Sequence, residues 1–338
     1  MTVVSIKIDA STRPMGYAAR FAHNPFVRTV ARRLLMTVPL LFFVTVLSFV
    51  LLSLAPGDAA REMLGERATP ESLAALRDQL GLNQPLPEQY WRWLSNALHG
   101  DLGVSSATGQ PVTDAVVQRL PVTLWVVLGT MIVMPVLGVA LGLYSAVRGG
   151  ALDRMLGLLS LVGYALPAFW LGSIMVAFFA VDLGWFPASG YVSPSDSVSD
   201  WIRSLILPVA ALSIGGVAVF AKQTRDAMLD VLASEHVRLA WARGVPPRSI
   251  YLRYALRSIS PLLLTLVGIT TIGFLAATVF VETIFALPGI GAYVATGAQQ
   301  QDVPVVQGTT VFFTLIVVVI NLVTDLAYTA LDPRVRTS

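Results

Sequence analysis

The chain has no cysteine, which excludes disulfides, thiolate metal sites and thiol nucleophiles together. It has three histidines, His23, His99 and His236, in three separate segments. None belongs to a His-Glu-x-x-His pair, so a zinc hydrolase of that type is excluded. Ser189-Gly190 has Pro187 where a serine nucleophile elbow needs glycine. Lysine is scarcer still, with only Lys7 and Lys222. Neither stands in Gly-x-x-x-x-Gly-Lys-Ser/Thr, so the chain has no Walker A loop of its own. Any ATP-driven activity therefore requires a partner. Charge is thin throughout: 13% of residues are charged, against about 25% in a soluble domain.

Apolar surface is what the chain has in excess. Of its 338 residues, 55% are hydrophobic, and the mean hydropathy is +0.70. A membrane-spanning helix needs about 20 mostly apolar residues. Six runs qualify: residues 34–54, 122–147, 155–181, 205–221, 261–281 and 309–328. Pro39, Pro135, Pro167 and Pro208 fall in or at the ends of these runs. Membrane helices tolerate proline because neighbouring groups satisfy the freed carbonyls. Residues 1–33 are mixed and polar, without a short apolar core followed by a cleavage site, so the first run is expected to stay as a span.

Loop charge orients the spans. Arg61, Arg67, Arg77, Arg92, Arg119 and Arg203 would lie on one side, and the other 17 of the 23 basic residues on the opposite side. Lys and Arg gather on the cytoplasmic side, so both termini are expected to be cytoplasmic. The basic pI near 9.3 is then a topology signal and does not point to nucleic acid.

The extracytoplasmic segment 55–121 reads as a small helical cap. Thr69-Pro70-Glu71 is a helix start, Leu73, Leu76 and Leu80 form an apolar face, and Gly81 can end the helix. A second helix is expected over 87–98. Its Tyr90, Trp91, Trp93, Leu94 and Leu98 suit the membrane–water boundary. They would seat the cap on lipid, or offer a docking surface to an external delivery protein.

The cytoplasmic loop 222–260 carries the most information. Ser234 is an N-cap candidate for a short helix over 235–243, Gly244 ends it, and Val245-Pro246-Pro247 prevents its continuation. Val237, Ala240 and Trp241 fall at i, i+3 and i+4 on one face, flanked by Arg238 and Arg243. That face would enter a groove on a partner protein or lie on lipid headgroups.

The run EHVRLAWARGVPPRSIYLRYALRSISP (235–261) resembles the EAA loop of ABC-importer permeases, in the version found in the oligopeptide/dipeptide, nickel and glutathione branch. Counted from Gly244, the family's Glu-Ala-Ala falls on Arg238, Leu239 and Ala240, and its Ile-x-Leu-Pro on Tyr254, Ala255, Leu256 and Arg257. Gly244, Ala240 and Leu256 match; the glutamate and proline do not, as is usual in the peptide branch. LAPGD (54–58), LGLNQPLPEQYWRWL (80–94), GDLGVS (100–105), VETIFALPGIG (281–291), DVPVVQG (302–308) and NLVTDLAYTALDPRVR (321–336) also resemble that branch, in the same order. The resemblance covers residues 28–336.

It implies an all-α membrane protein with six spans and the type I importer permease fold. It implies a multi-pass bacterial inner-membrane subunit with no cofactor of its own. The implied partners are a second homologous permease, two cytoplasmic ATPase subunits that bind ATP and Mg, and an extracytoplasmic substrate-binding (lipo)protein. Ser234, Glu235, Val237, Arg238, Ala240, Trp241, Arg243 and Gly244 would form the coupling helix that receives the ATPase stroke. Gly268, Gly273, Ala276 and Ala277 suit close helix approach or pore lining. Glu282, at the outer end of the fifth span, would bind a substrate amine or pair structurally. Asn321 and Asp325 share a face of the sixth span. A carboxylate there is a functional candidate, or it reaches a terminal arginine such as Arg334 or Arg336. An ion-coupled secondary transporter is the main rival, but such proteins show internal repeats and midplane charge, neither of which is evident here.

Overall fold

The computed structural model describes residues 25–54, 59–65 and 68–331. Most of the LAPGD block (55–58), Arg334 and Arg336 lie outside the described residues. Among the described residues the chain is built from helices, with one isolated bridge between Val104 and Pro111.

The first long helix is α1 (Pro25–Leu54). The short helices α2 (Ala59–Leu64), α3 (Pro70–Leu80) and α4 (Leu86–Leu98) make the cap. Then come α5 (Val112–Arg148), α6 (Gly150–Ala165), α7 (Ala168–Met175, running into a π-helical turn Val176–Asp182) and α8 (Val198–Leu232). The short α9 (Glu235–Ala242) leads to α10 (Pro247–Ile284), whose start contains the π-helical stretch Ile250–Ala255. The chain closes with α11 (Ile290–Gln299) and α12 (Val303–Leu331).

α1, α5, α8, α10 and α12 are long and apolar enough to cross a bilayer, and Ala168–Asp182 is a shorter apolar helix. The expected third span, 155–181, is not one continuous helix. It breaks between α6 and α7 at Leu166, which is extended at φ −84 and ψ 127. Proline at 167 clashes with a helical conformation of the residue before it. Pro39, Pro121, Pro135, Pro208 and Pro261 instead lie inside helices.

α8 is the hub. Of its most apolar stretch 61% is buried, against 17% for α1, so α8 is the core and α1 faces outward. It packs along α5 and also meets α6, α7 and α10. The α5–α8 seam is close because Gly138 and Gly142 face it. A Cβ on Gly138 would fall 2.3 Å from Cβ of Phe220, and one on Gly142 would fall 2.4 Å from the carbonyl oxygen of Ala221. Small residues permit such approach where lipid gives no hydrophobic drive to helix association. α1 is held to the bundle through α12. There the buried Gln307 amide donates to Thr45 O at 3.1 Å and accepts from Ser48 Oγ at 3.3 Å.

The cap forms as its local signals require. Thr69 Oγ1 accepts from the Ser72 amide, the Ser72 hydroxyl accepts from the Thr69 amide, and Gly81 ends α3 in the left-handed region at φ 68. In α4, Tyr90 turns inward: it is buried against Phe42 and Phe49 of α1, with its hydroxyl 2.9 Å from Thr45 Oγ1. Trp91 and Leu98 remain exposed.

Candidate functional site

α9 projects from the bundle at the elbow between α8 and α10. Ser234 precedes it in an extended conformation, but its hydroxyl does not cap the helix amides; it donates back to Val231 O at 2.5 Å. The far end closes at Gly244, whose φ of 74 lies in the left-handed region that glycine enters without Cβ cost. Its amide donates to Trp241 O at 3.0 Å, and the Val245 amide donates to Ala240 O at 3.2 Å. Both ends are therefore tied down by local bonds.

The apolar face of α9 does not point outward as a unit, which corrects the expectation drawn from spacing. Val237 and Ala240 are buried with Ile250, against Val231, Leu232, Val245 and Tyr251 of the same chain. Two apolar side chains three residues apart satisfy themselves on the flanking helices before any partner arrives. The outward surface is made by Glu235, Arg238, Leu239, Trp241 and Arg243, all exposed, with Leu239 at 51% and Trp241 at 41%. Trp241 also stands edge-on to Tyr251, 6.2 Å between ring centres. The result is a short helix bolted from beneath, with a mixed apolar and basic surface above.

A charged cluster braces the helix that carries this elbow. Arg225 of α8 grips Asp153 of α6 with both arms of its guanidinium, Nη2 lying 2.5 Å from Oδ2, and also reaches Asp226 at 2.9 Å. Ser145 of α5 donates to Asp153 at 2.5 Å, and Lys222 pairs with Asp226 at 2.7 Å. The Arg225 hydrogen bond, with that of Ser145, holds the Asp153 carboxyl down to about 2. Sequence reading missed this cluster. The only signal was an acid inside an otherwise basic turn, 72 residues from its partner.

At the opposite end lies a buried acid. Glu282 has no exposed surface. Thr123 Oγ1 of α5 donates to Oε1 at 2.7 Å, and the Ala292 amide in the first turn of α11 donates to Oε2 at 3.0 Å. The Thr123 hydroxyl in turn accepts from the Ile290 amide at 2.9 Å. The carboxyl thus sits at a helix N-terminus, where unpaired amides and the helix dipole favour it. Glycine is required around it: a Cβ on Gly289 would fall 2.3 Å from the Glu282 carboxyl carbon. In this conformation the carboxyl is engaged by these hydrogen-bond donors within the chain. Glu282 does not line an open path in this conformation.

A second buried acid, Asp302, opens the DVPVVQG block. Asp302 caps α12 by accepting from the Val305 amide at 3.3 Å, while its other oxygen accepts from Ser105 Oγ at 2.6 Å and the Ala107 amide at 3.2 Å. The GDLGVS and DVPVVQG blocks therefore meet. An Asp followed by Val-Pro at the start of an apolar run is an N-cap signal and could have been read as one.

The remaining expected residues divide. Gly273 and Ala277 border an apolar cleft of about 260 Å³ shared with α7 and α8. Gly268 instead closes against Thr324 of α12, so its lack of a side chain serves helix contact. Asn321 is half-buried. Asp325 pairs with Arg33 of α1 at 2.5 Å. Arg33 is thus one partner of this carboxylate, and the terminal arginines Arg334 and Arg336 lie outside the described residues.

Comparison with known proteins bears on this arrangement. The family model described as the binding-protein-dependent transport system inner membrane component matches residues 138–337. A model for the N-terminal part of such membrane components matches residues 26–127. A probable peptide ABC transporter permease of Sinorhizobium fredii is 40% identical over 308 residues, covering 91% of this chain and 98% of its own. The chain belongs to this permease family. The glutathione transport system permease protein GsiC of Escherichia coli K12 is 35% identical with the same coverage. A chain of the inward-facing MetNI methionine ABC transporter superposes with a TM-score of 0.50 at 18% identity, over 64% of this chain and 96% of that one. That likeness shows the fold alone.

The permease is the membrane component of an ATP-driven importer, and it is not an enzyme. The ion-coupled rival falls with the family assignment. The all-α, type I permease fold stands as expected.

Proposed function

We propose that this permease forms half of a translocation pathway for peptides or related small solutes. The other half is a second, homologous permease. An extracytoplasmic binding protein delivers the solute, and two cytoplasmic ATPase subunits bind ATP and Mg and supply the work. The names of the peptide and glutathione relatives support the solute class. The basic loops support cytoplasmic termini in the bacterial inner membrane.

The observation that carries the mechanism is the two-sided build of α9. Val237 and Ala240 fasten it to α8 and the start of α10, while Leu239, Trp241, Arg238 and Arg243 face out. A helix fastened this way moves with the two spans it joins. A push on its outer surface is delivered to α8, the hub of the bundle, and to α10, which borders the Gly273–Ala277 cleft. The Arg225–Asp153 brace couples the same motion to α6. In this reading Ser234 and Gly244 set the ends of the lever and Glu235 completes its polar rim.

The test is affinity purification of the tagged permease from gently solubilised membranes, with mass spectrometry and ATPase assay. Recovery of a second polytopic chain, Walker A ATPases and a binding protein is expected. A cysteine introduced at the exposed Leu239 should cross-link to an ATPase subunit, and one at the buried Val237 should not. Purification of the chain alone, under conditions that keep a reference importer intact, would overturn the reading.

A further inference from the structure

We infer that the permease carries a built site for one anionic phospholipid, in a crevice where α5, α6 and α8 meet. The proposal requires only that α5 and α8 span a bilayer, and it stands apart from the identity of the transported solute.

Two cavities lie end to end in this crevice. The first, about 360 Å³, is lined almost wholly by apolar groups, among them Val133 and Leu137 of α5 and Ala210, Ile214 and Val217 of α8. The second, about 280 Å³, is lined by Ser145, Asp153, Arg154, Lys222, Arg225 and Asp226. They share Leu141, Ser160 and Ala221 as common walls and so lie next to each other. Each is near or within the range of roughly 300–1,000 Å³ that holds small ligands.

The depth fits a single lipid leaflet. From Ala210 to Lys222 is twelve residues of α8, about 18 Å at 1.5 Å per residue. The hydrocarbon of one leaflet is about 15 Å deep, half of a core of about 30 Å. The apolar cavity thus occupies acyl-chain depth, and the charged cavity lies on the side of the elbow, at headgroup depth.

Charge selects the headgroup. The charged cavity has three cations, Arg154, Lys222 and Arg225, and two acids, Asp153 and Asp226. Arg225 is committed to both acids and Lys222 to Asp226. Arg154 is exposed with no hydrogen bond or ion pair among the described residues, and Lys222 keeps 67% of its side chain exposed. The surplus of one positive charge complements a phosphodiester with a neutral alcohol, as in phosphatidylglycerol. Basic pockets between spans on the cytoplasmic side bind anionic headgroups in this way. A soluble phosphate would satisfy the cations but leave the apolar cavity beneath unexplained. A phospholipid fills both.

The test is native mass spectrometry of the assembled importer released from its membrane, joined to photolabelling with a diazirine-bearing phosphatidylglycerol. A retained phospholipid is expected, enriched in phosphatidylglycerol or cardiolipin over phosphatidylethanolamine. Label is expected on peptides spanning 133–141 and 210–221. Ser160→Phe, which adds bulk at the shared wall, should lower retention at least tenfold, and Arg154→Gln should abolish the anionic preference. Should Ser160→Phe fail to assemble, the photolabel map on the unaltered complex decides. Four results would overturn the site: no retained lipid, because the second permease covers the crevice; label confined to α1 and α12; retention unchanged in an assembled Ser160→Phe; or equal retention of neutral and anionic lipid.

Discussion

Replacing Glu282 separates a structural carboxyl from a substrate-binding one. The side chain accepts from Thr123 Oγ1 and from the Ala292 amide in a space closed to water. Glu282→Ala removes both acceptors at once and leaves two donors and a cavity behind. An orphaned buried donor costs about 1–3 kcal/mol, so the expected destabilisation is about 3–5 kcal/mol with the lost packing included. Glu282→Gln has nearly the same shape. Its carbonyl can accept from Ala292, and its amide can donate to the Thr123 oxygen, so the expected cost is about 1–2 kcal/mol. Gly289→Ala attacks the same pocket from the other side, since the new methyl would displace the carboxyl. The assay is thermal unfolding of the purified importer followed by size-exclusion fluorescence, with solute uptake measured in parallel. Uptake is expected to follow stability: lost in Glu282→Ala, largely kept in Glu282→Gln. A Glu282→Gln protein of unchanged thermal stability that cannot transport would refute the structural reading and put this carboxyl on the solute path.

Ala240→Asp would bury a carboxylate against Ile250 and Val245, and Gly244→Pro cannot adopt the φ of 74 found there. Both should insert and assemble, hydrolyse ATP, and lose at least tenfold in uptake; normal uptake would sink the lever. Arg238→Glu with Arg243→Glu should leave thermal stability within about 0.5 kcal/mol, as for exposed sites, yet weaken retention of the ATPase subunits on gel filtration. Asp153 is held at about 2, below its ordinary 3.8, so its ion pair stabilises fully above about pH 4 and fades as pH falls toward 2. Asp153→Asn should therefore lower the melting temperature equally at pH 5 and pH 8, and a difference between the two would contradict the pairing. Arg33→Gln and Asp325→Asn should each cost about 1 kcal/mol or less, because both partners keep about a third or more of their side chains exposed. A double-mutant cycle should then return a coupling of the same sign and size.

Much of the architecture is determined by local rules that act over a few residues. Apolar run length picked out the five helices that are long and apolar enough to cross a bilayer, because each crossing demands about 20 residues. Thr69, Gly81 and Gly244 marked helix ends, because capping and positive φ are properties of a single turn. The lack of a Walker A lysine left the chain without an ATP site of that type, because that loop needs its residues at fixed spacing within one turn. The exact course of the third span was not legible, although Pro167 held the information: tolerance of proline in other spans gave no way to tell a kept helix from a broken one.

Tertiary structure decided which residues meet. Val237 and Ala240 read as an outward face by spacing, yet spacing sets only that they share a face, and the position of Ile250 turned that face inward. Glu282 is sealed because α11 folds back over it with Gly289 making room, and Asp325 pairs with Arg33 across 292 residues of chain. Arg225 and Asp153 come together because glycines on α5 let α8 lie close. Side-chain periodicity is fixed within one helix, whereas burial depends on what a distant helix brings to it. For that physical reason the sequence marks the long apolar helices and several of their ends, and only the packed bundle determines which acids are buried, which arginines are paired and which surface of α9 remains exposed.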